Sequence, residues 1–309
     1  MSFLYPAHIA TLQSLLLSHY NSHVTDVYKL SKGMTNHNYK CVLDNHEQVI
    51  VRLPGNGTSL LINRHDEYHN LCAIVPLFIN VPLLYFNADT GIQVTRFVTE
   101  LPETDHTGSI FLQAATAAMK KLHTAPVRFN NRFAAMSMIR QYYDITCQYD
   151  IALAPAFAAM LPVLERIAEE AEREAPGICP CHNDPVPENF ILDRRYRCYL
   201  IDWEYAGMNS PLWDLAAFSL ELNLSVSQEQ YMLQCYYGPA AIPAYTCRVM
   251  QSYKILQDML WYLWSMIKVH FHTDYFAYGV MRYNRGLSML SSGDFLPPHI
   301  RLPETVVPV

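Results

Sequence analysis

The chain has 309 residues, 51% of them hydrophobic and 16% charged, which allows a sizeable core and excludes wholesale disorder. That length suits two domains or one large two-lobed domain. Twenty-two basic residues against 28 acidic give a net charge of −6, which argues against a nucleic-acid partner and is compatible with a cationic small molecule.

The opening MSFLYPAHIA lacks the basic stretch, apolar run and small-residue cleavage site of a signal peptide. Residues 8–20 carry apolar positions at helical spacing. VTDVYKL (24–30), NYKCVL (38–43) and QVIVRL (48–53), separated by turns at Lys32-Gly33 and Asp44-Asn45, read as an antiparallel meander. A helix is expected from Asn63 to about Leu77, begun by Asn63 or Asp66, then strands at 83–86 and 92–98 split by Asn87-Ala88-Asp89-Thr90-Gly91. Beyond Thr99 the text turns Ala-, Leu- and Met-rich, with helices expected near 106–123, 131–149, 155–174, 211–223, 227–237, 244–271 and 273–291. Two short strands, NFIL and CYLID, flank the charged turn DRRYR inside 188–202. The segment 255–269 is too short, and too interrupted by Gln257, Asp258 and Lys268, to cross a bilayer. The expectation is a cytoplasmic protein without membrane insertion and with a loose Pro-rich tail after 295. Its eight cysteines are expected as free thiols, because Cys179, Cys181, His182 and Cys198 match no usual zinc-ligand spacing.

One loop concentrates polar chemistry. CHNDPVPENF (181–190) holds two prolines that neither a helix nor a central strand tolerates, so its His182, Asn183, Asp184, Glu188 and Asn189 sit on a loop. His182-x-Asp184-x4-Asn189 has the spacing of a kinase catalytic loop, and Asp202 follows at the end of the apolar run Tyr199-Leu200-Ile201. Phosphoryl transfer needs such a set: one carboxylate to orient the acceptor hydroxyl and take its proton, another carboxylate and an amide oxygen to hold Mg²⁺ on the phosphates. In the front half, Ser31 to Asn36 lie between two strands, where a turn can wrap phosphates with backbone N–H groups or be an ordinary hairpin. Arg52 sits on a strand where kinases place a phosphate-gripping cation, and Glu67 on the next helix where its partner carboxylate would stand.

These segments resemble the choline/ethanolamine kinase family within the aminoglycoside phosphotransferase superfamily, in particular bacterial choline kinases of the LicA type. The resemblance runs through GMTNHNYK (33–40), VRLPG (51–55), NRHDEY (63–68), HNDPVPENFI (182–191), LIDWEYAGMNSPLWDLA (200–216), WYLWSMIK (261–268) and AYGVMRYNR (277–285), nearly the whole chain. It implies an α+β protein-kinase-like fold: a small antiparallel N-lobe covering the nucleotide (1–97) and a large helical C-lobe (98–309). It implies ATP and Mg²⁺ as cofactors and a small cationic amino-alcohol as substrate, choline first. By resemblance Asp184 is the base, Asn189 and Asp202 hold Mg²⁺, and Gly33, Met34, Thr35, Asn36, Arg52 and Glu67 serve the nucleotide, with Arg96, Phe97 and Val98 at its hinge. Glu204 and Glu221 supply carboxylates for the substrate cation, Trp261 and Trp264 its aromatic walls, and Tyr278 or Tyr283 a further ring. The chain departs from the eukaryotic pattern at Val186, where those enzymes carry Gln.

The tryptophans admit two readings. Trp261 and Trp264 share one helix face with Leu260 and Ile267, as core residues do. Gln257 and Lys268 make that face less apolar, and a quaternary ammonium, which donates no hydrogen bond, is held by aromatic faces and a carboxylate. With the family resemblance added, the cage reading leads. A protein kinase is disfavoured because no GxGxxG loop precedes Arg52 and no A-P-E segment follows Asp202. Ethanolamine, thiamine and aminoglycosides stay open as acceptors, and an inactive nucleotide-binding pseudokinase as a different class.

Overall fold

The computed structural model describes residues 6–30, 35–102, 104–174, 177–238, 242–271 and 273–292. Gly33 and Met34, and the tail after 295, lie outside them. In chain order the first elements are α1 (Pro6–Tyr20), β1 (Val24–Lys29), β2 (His37–Leu43), β3 (Gln48–Leu53), α2 (Arg64–Ile74), β4 (Leu83–Phe86) and β5 (Gln93–Arg96). Next come α3 (Ser109–His123), α4 (Ala135–Gln148), α5 (Phe157–Glu174), β6 (Cys179–Cys181), β7 (Phe190–Leu192), β8 (Cys198–Leu200) and β9 (Gly207–Asn209). Helices α6 (Pro211–Glu221), α7 (Val226–Tyr237), α8 (Thr246–Phe271) and α9 (Phe276–Ser292) complete the series. Packing divides the chain into two units, Met1–Val127 with Pro187–Glu204 and Arg128–Val186 with Tyr205–Val309. The lobe boundary expected from the sequence falls at 97/98.

The first unit is built on a five-stranded antiparallel sheet in the order β1-β2-β3-β5-β4. Period-2 alternation sends Tyr39, Cys41 and Leu43 of β2 and Val49, Val51 and Leu53 of β3 into one core with Leu12 and Leu16 of α1. The register Asn38↔Arg52↔Gln93 then gathers three polar side chains into one row across the sheet, out of step with those apolar neighbours. Helix α2 starts where a capping residue permits: the Asn63 side chain accepts from the His65 and Asp66 amides, with Asp66 and Glu67 in the first turn. Gly55 of VRLPG admits no side chain, because a Cβ there would come within 2.0 Å of the Thr35 carbonyl oxygen. The β7–β8 hairpin is closed by Asp193, which accepts from the Arg195 and Arg197 amides and from Arg197 Nε at 2.8 Å.

The second unit is helical around α8, whose residues from Ser252 to Lys268 are nearly all buried. α9 approaches α8 closely through Gly279 and Gly286: a Cβ at Gly279 would stand 2.5 Å from Met266 Cε and 2.8 Å from Ser265 Cβ. The expected helices and the strands of the meander and hairpins are present, with ends shifted by a few residues. Strands β6 and β9 were not expected. Each is three residues long, one is Cys-Pro-Cys, and they pair over long separations in the chain, Cys179↔Asn209 to Cys181↔Gly207. Cys181 donates its thiol to the Asn209 carbonyl, and burial pushes that thiol well above its ordinary range. Among the described residues no helix is long and apolar enough to cross a membrane.

Candidate active site

In the first unit several of the expected site residues form one charge cluster, buried except for the partly exposed Asp202. Arg52 on β3 donates to Glu67 Oε1 (2.5 Å) and to Asp202 Oδ1 (2.8 Å). Glu67 also receives Arg64 at 2.6 Å, and Arg64 reaches Glu204 Oε2 at 2.5 Å. Asn36 donates to Glu204 Oε1 at 2.8 Å, which ties the residue before β2 into the cluster. Three carboxylates therefore share two guanidiniums. Burial opposes ionisation of Glu204, but Arg52 and Arg64 hold its carboxyl below the usual range. Asp202 fares differently: burial and then the Glu204 charge push it up to about 7 against the pull of Arg52.

The β7–β8 hairpin brings Asn189 and Asp202 together. Phe190 pairs with Leu200, so Asn189 lies at the open end of the hairpin, where its carbonyl accepts from the Ile201 amide at 2.8 Å. Asp202 follows in the left-handed region at φ 64°, a conformation that Asp tolerates better than most side chains. Beside it opens a cavity of about 410 Å³, bordered by Arg52, Arg96, Phe97, Val98, Asn189 and Asp202, with Leu30, Ile50, Val81, Ile191 and Ile201 as apolar walls. That volume and mix of apolar walls with few polar groups suit a small-molecule site. The Lys40 ammonium stands 4.0 Å over the Phe97 ring. Glu67, Asn36 and Glu204 do not border the cavity; they are bonded in the cluster behind Arg52.

In the second unit Asp184 is half-buried on a loop that the structure braces from three directions. The Asp214 carboxylate accepts from the backbone amides of His182 and Asn183, both at 2.8 Å. Asn183 takes a left-handed φ of 67°, and its buried side chain donates to the Tyr205 carbonyl and accepts from Asn209. The Trp213 indole donates to the Asn183 carbonyl at 3.0 Å. Beyond Asp184, the Val186 amide returns to the Asp184 carbonyl at 2.9 Å.

Trp261 and Trp264 are buried and meet edge to face, with centroids 6.2 Å apart. Tyr205 packs on Trp261 at 5.0 Å, and Tyr275 and Tyr278 on Trp264 at 5.3 and 6.3 Å. The Trp264 indole N–H is buried with no acceptor among the described residues. Tyr278, whose hydroxyl burial pushes up, is near enough to Asp184 for that carboxylate to push it further. Cations already stand over these rings: Lys268 at 5.9 Å from Trp264, and Arg282 at 4.8 Å from Tyr278.

Several expectations meet a different geometry. Tyr283, the alternative to Tyr278, is a core residue: it is fully buried among Phe157, Tyr262 and Met160. Five residues separate the two, about 140° around the helix, so they cannot share a face. Glu204 is engaged by Arg64 and Asn36, and Glu221 by Arg282 at 2.5 Å, so neither carboxylate is a bare charge. Arg64, Asn183, Trp213, Asp214, Asp258 and Arg282 were not among the expected site residues. All six lie in or beside recognised segments, but their partners are mostly distant in sequence, and no local spacing announces them.

The choline/ethanolamine kinase family model matches residues 27–239. The choline kinase LicA from Streptococcus pneumoniae is 30% identical, with 93% of this chain and 100% of that one aligned at a TM-score of 0.82. A LicA structure in complex with AMP is 31% identical and covers 92% of this chain and 98% of that one at a TM-score of 0.78. Ethanolamine kinase 2 of Mus musculus is 24% identical over 303 residues, 87% of this chain and 77% of its own. The α+β kinase-like fold expected from the sequence is the fold these likenesses share with the chain. Matching over most of its length, the chain belongs to the choline/ethanolamine kinase family, phosphotransferases with an alcohol group as acceptor.

Proposed function

We propose that the protein transfers the γ-phosphate of ATP to the hydroxyl of choline, giving phosphocholine. The observation that carries the reading is the aromatic group of Trp261, Trp264 and Tyr278, with Tyr278 within electrostatic reach of Asp184. Rings of that kind hold a quaternary ammonium, and a carboxylate close to them suits a base for the hydroxyl two carbons away from that charge. Ethanolamine would bring three N–H donors to ring faces that offer few acceptors, at about 1–3 kcal/mol for each one left unpaired.

In this reading Asp184 orients the acceptor hydroxyl and takes its proton as the O–P bond forms, and the leaving ADP carries away the electron pair of the broken bond. Arg52 grips the nucleotide phosphates, held against swinging away by Glu67. Residues Arg96 to Val98 flank the base in the cavity of about 410 Å³. The donor set fits a divalent cation: three carboxylates share only two guanidiniums, and burial followed by the Glu204 charge raises the affinity of Asp202 for a proton. Asp202 and the Asn189 amide would hold Mg²⁺, which when bound neutralises charge on the transferring phosphoryl group. Residues 1–97 act as the nucleotide-covering lobe and 98–309 as the lobe of catalysis and acceptor binding. Dependence on ATP suits the cytoplasm.

The test is one coupled assay with ATP and Mg²⁺ against choline, ethanolamine, thiamine and an aminoglycoside. Choline should give the highest kcat/KM. Asp184→Asn should keep nucleotide binding and lose about 10²–10⁴ in kcat, the usual worth of a positioned base. Equal kcat/KM for choline and ethanolamine would remove the aromatic argument, and no turnover with any acceptor would leave a nucleotide-binding pseudokinase.

A further inference from the structure

We propose that Arg282 is a positioning residue for the acceptor: it fixes the Tyr278 ring and keeps the surrounding carboxylates from acting as free charges. The inference rests on the acceptor reading above and deepens it. Arg282 is 1% exposed, on the α9 face turned to α8. Its guanidinium lies 4.8 Å from the centre of the Tyr278 ring and donates to the Tyr278 hydroxyl. The same group meets Glu221 Oε1 at 2.5 Å and donates to Asp258 Oδ1 at 3.1 Å. Asp258, with no exposed side-chain surface, also takes two bonds from Arg285, at 2.8 and 2.7 Å.

The geometry has two consequences. A planar guanidinium reaches three partners in fixed directions, which the single ammonium of a lysine does not. Tyr278 is thus held by its hydroxyl and by one ring face. The second consequence concerns charge. Glu221 and Asp258 balance Arg282 and Arg285, so this cluster carries no surplus anion to draw cations indiscriminately. Selection then falls to the rings, which favour a methylated ammonium over one that needs hydrogen-bond acceptors. Glu221 serves the acceptor site through Arg282, not as a direct counter-charge.

The test uses tetramethylammonium, which has the quaternary charge but no hydroxyl, and therefore reads the rings apart from phosphoryl transfer. Binding is followed by calorimetry and tryptophan fluorescence on the full chain, unmodified and as Arg282→Lys, Tyr278→Phe and the double variant. Arg282→Lys should weaken binding about tenfold and Tyr278→Phe by about three- to tenfold, the scale of a lost or misplaced ring contact. The double variant should be little worse than Arg282→Lys, because one residue acts through the other. The choline KM should rise in step while the ATP KM stays within about twofold, a split that general loosening of the fold would not give. Unchanged tetramethylammonium binding in Arg282→Lys, additive losses, or equal rises in both KM values would overturn the proposal. If Arg282→Lys does not fold, Tyr278→Phe decides, and unweakened binding in it overturns the proposal. An unmodified protein that neither binds tetramethylammonium nor phosphorylates choline brings down the acceptor reading and this inference with it. One that phosphorylates choline while Arg282→Lys behaves like it brings down this inference alone.

Discussion

The two units each set a pair of arginines among carboxylates, both buried in the first and one of them, Arg285, partly exposed in the second, and the two clusters are balanced differently. Around Arg52 and Arg64 stand Glu67, Asp202 and Glu204, one anion more than the guanidiniums neutralise. Around Arg282 and Arg285 stand Glu221 and Asp258, an even match. Burial first, and then the neighbouring Glu204 charge, push the Asp202 carboxyl of the first cluster up to about 7. A buried cluster with surplus negative charge is suited to receive a metal ion. A balanced one is suited to hold side chains in place, because breaking any pair leaves an uncompensated charge. In the proposed function the inorganic cation falls to the first unit by charge and the organic cation to the second by ring faces.

The largest expected effect comes from removing the surplus anion. Asp202→Ala should lower kcat on the order of 10³–10⁵-fold, the range seen when charge neutralisation of a transferring phosphoryl group is lost. Turnover within tenfold of the unmodified protein at millimolar Mg²⁺ would mean that the metal is held elsewhere. Next in size is the balanced cluster. Asp258→Asn leaves Arg282 and Arg285 with one anion between them and should destabilise the fold by about 3–5 kcal/mol, as broken buried pairs do. Urea unfolding measures it, and a loss below about 1 kcal/mol would show that water, not Asp258, compensates the arginines.

The first unit was the more legible of the two in the sequence. Its strands alternate over six or seven residues, its helix carries an Asn cap, and its Asn189 and Asp202 fall at spacings from Asp184 of the second unit that few other chemistries require. Arg52 and Glu67 could be placed because a strand and the following helix are neighbours in both chain and space. What escaped are contacts closed over long separations. Arg64 joins Glu204 across 140 positions, and Asp214 caps two amides across 32 and 31. Strands of three residues such as β6, with proline at the centre, carry no periodicity to read. Tyr278 and Tyr283 stand on one helix with equal composition around them. Only packing separates them, and packing depends on where α9 meets its neighbours.

A smaller effect tests the ring side of the comparison. Trp264→Ala should raise the choline KM about three- to thirtyfold, the value of one cation–π contact, with the ATP KM little changed. The ratio of choline to ethanolamine kcat/KM should shrink with it. If both acceptors weakened alike, the rings would be filling space and the selection would lie in charge after all.

The smallest effect separates the clusters most cleanly, because its sign is opposite to intuition. Burial and then the Glu204 charge push the Asp202 carboxyl up to about 7 in the folded protein, above its range in the unfolded chain, so the folded state binds the proton more tightly. The stability this contributes is complete below about pH 4 and is lost as pH rises through about 7. Above that pH, in the absence of metal, the ionised Asp202 opposes folding, although its bond to Arg52 at 2.8 Å and partial exposure offset much of the cost. Asp202→Asn leaves two carboxylates for two guanidiniums, the balance already present in the second unit. The variant should therefore match or exceed the unmodified protein in thermal stability at pH 8 with EDTA, by up to about 1 kcal/mol, and should show a flatter dependence between pH 4 and 8. Adding Mg²⁺ and ATP should reverse the order, since ligand binding stabilises only the chain that retains the carboxylate. A marked loss of stability in the metal-free variant would show that Arg52 depends on Asp202 for its charge, and the surplus assigned to this cluster would disappear.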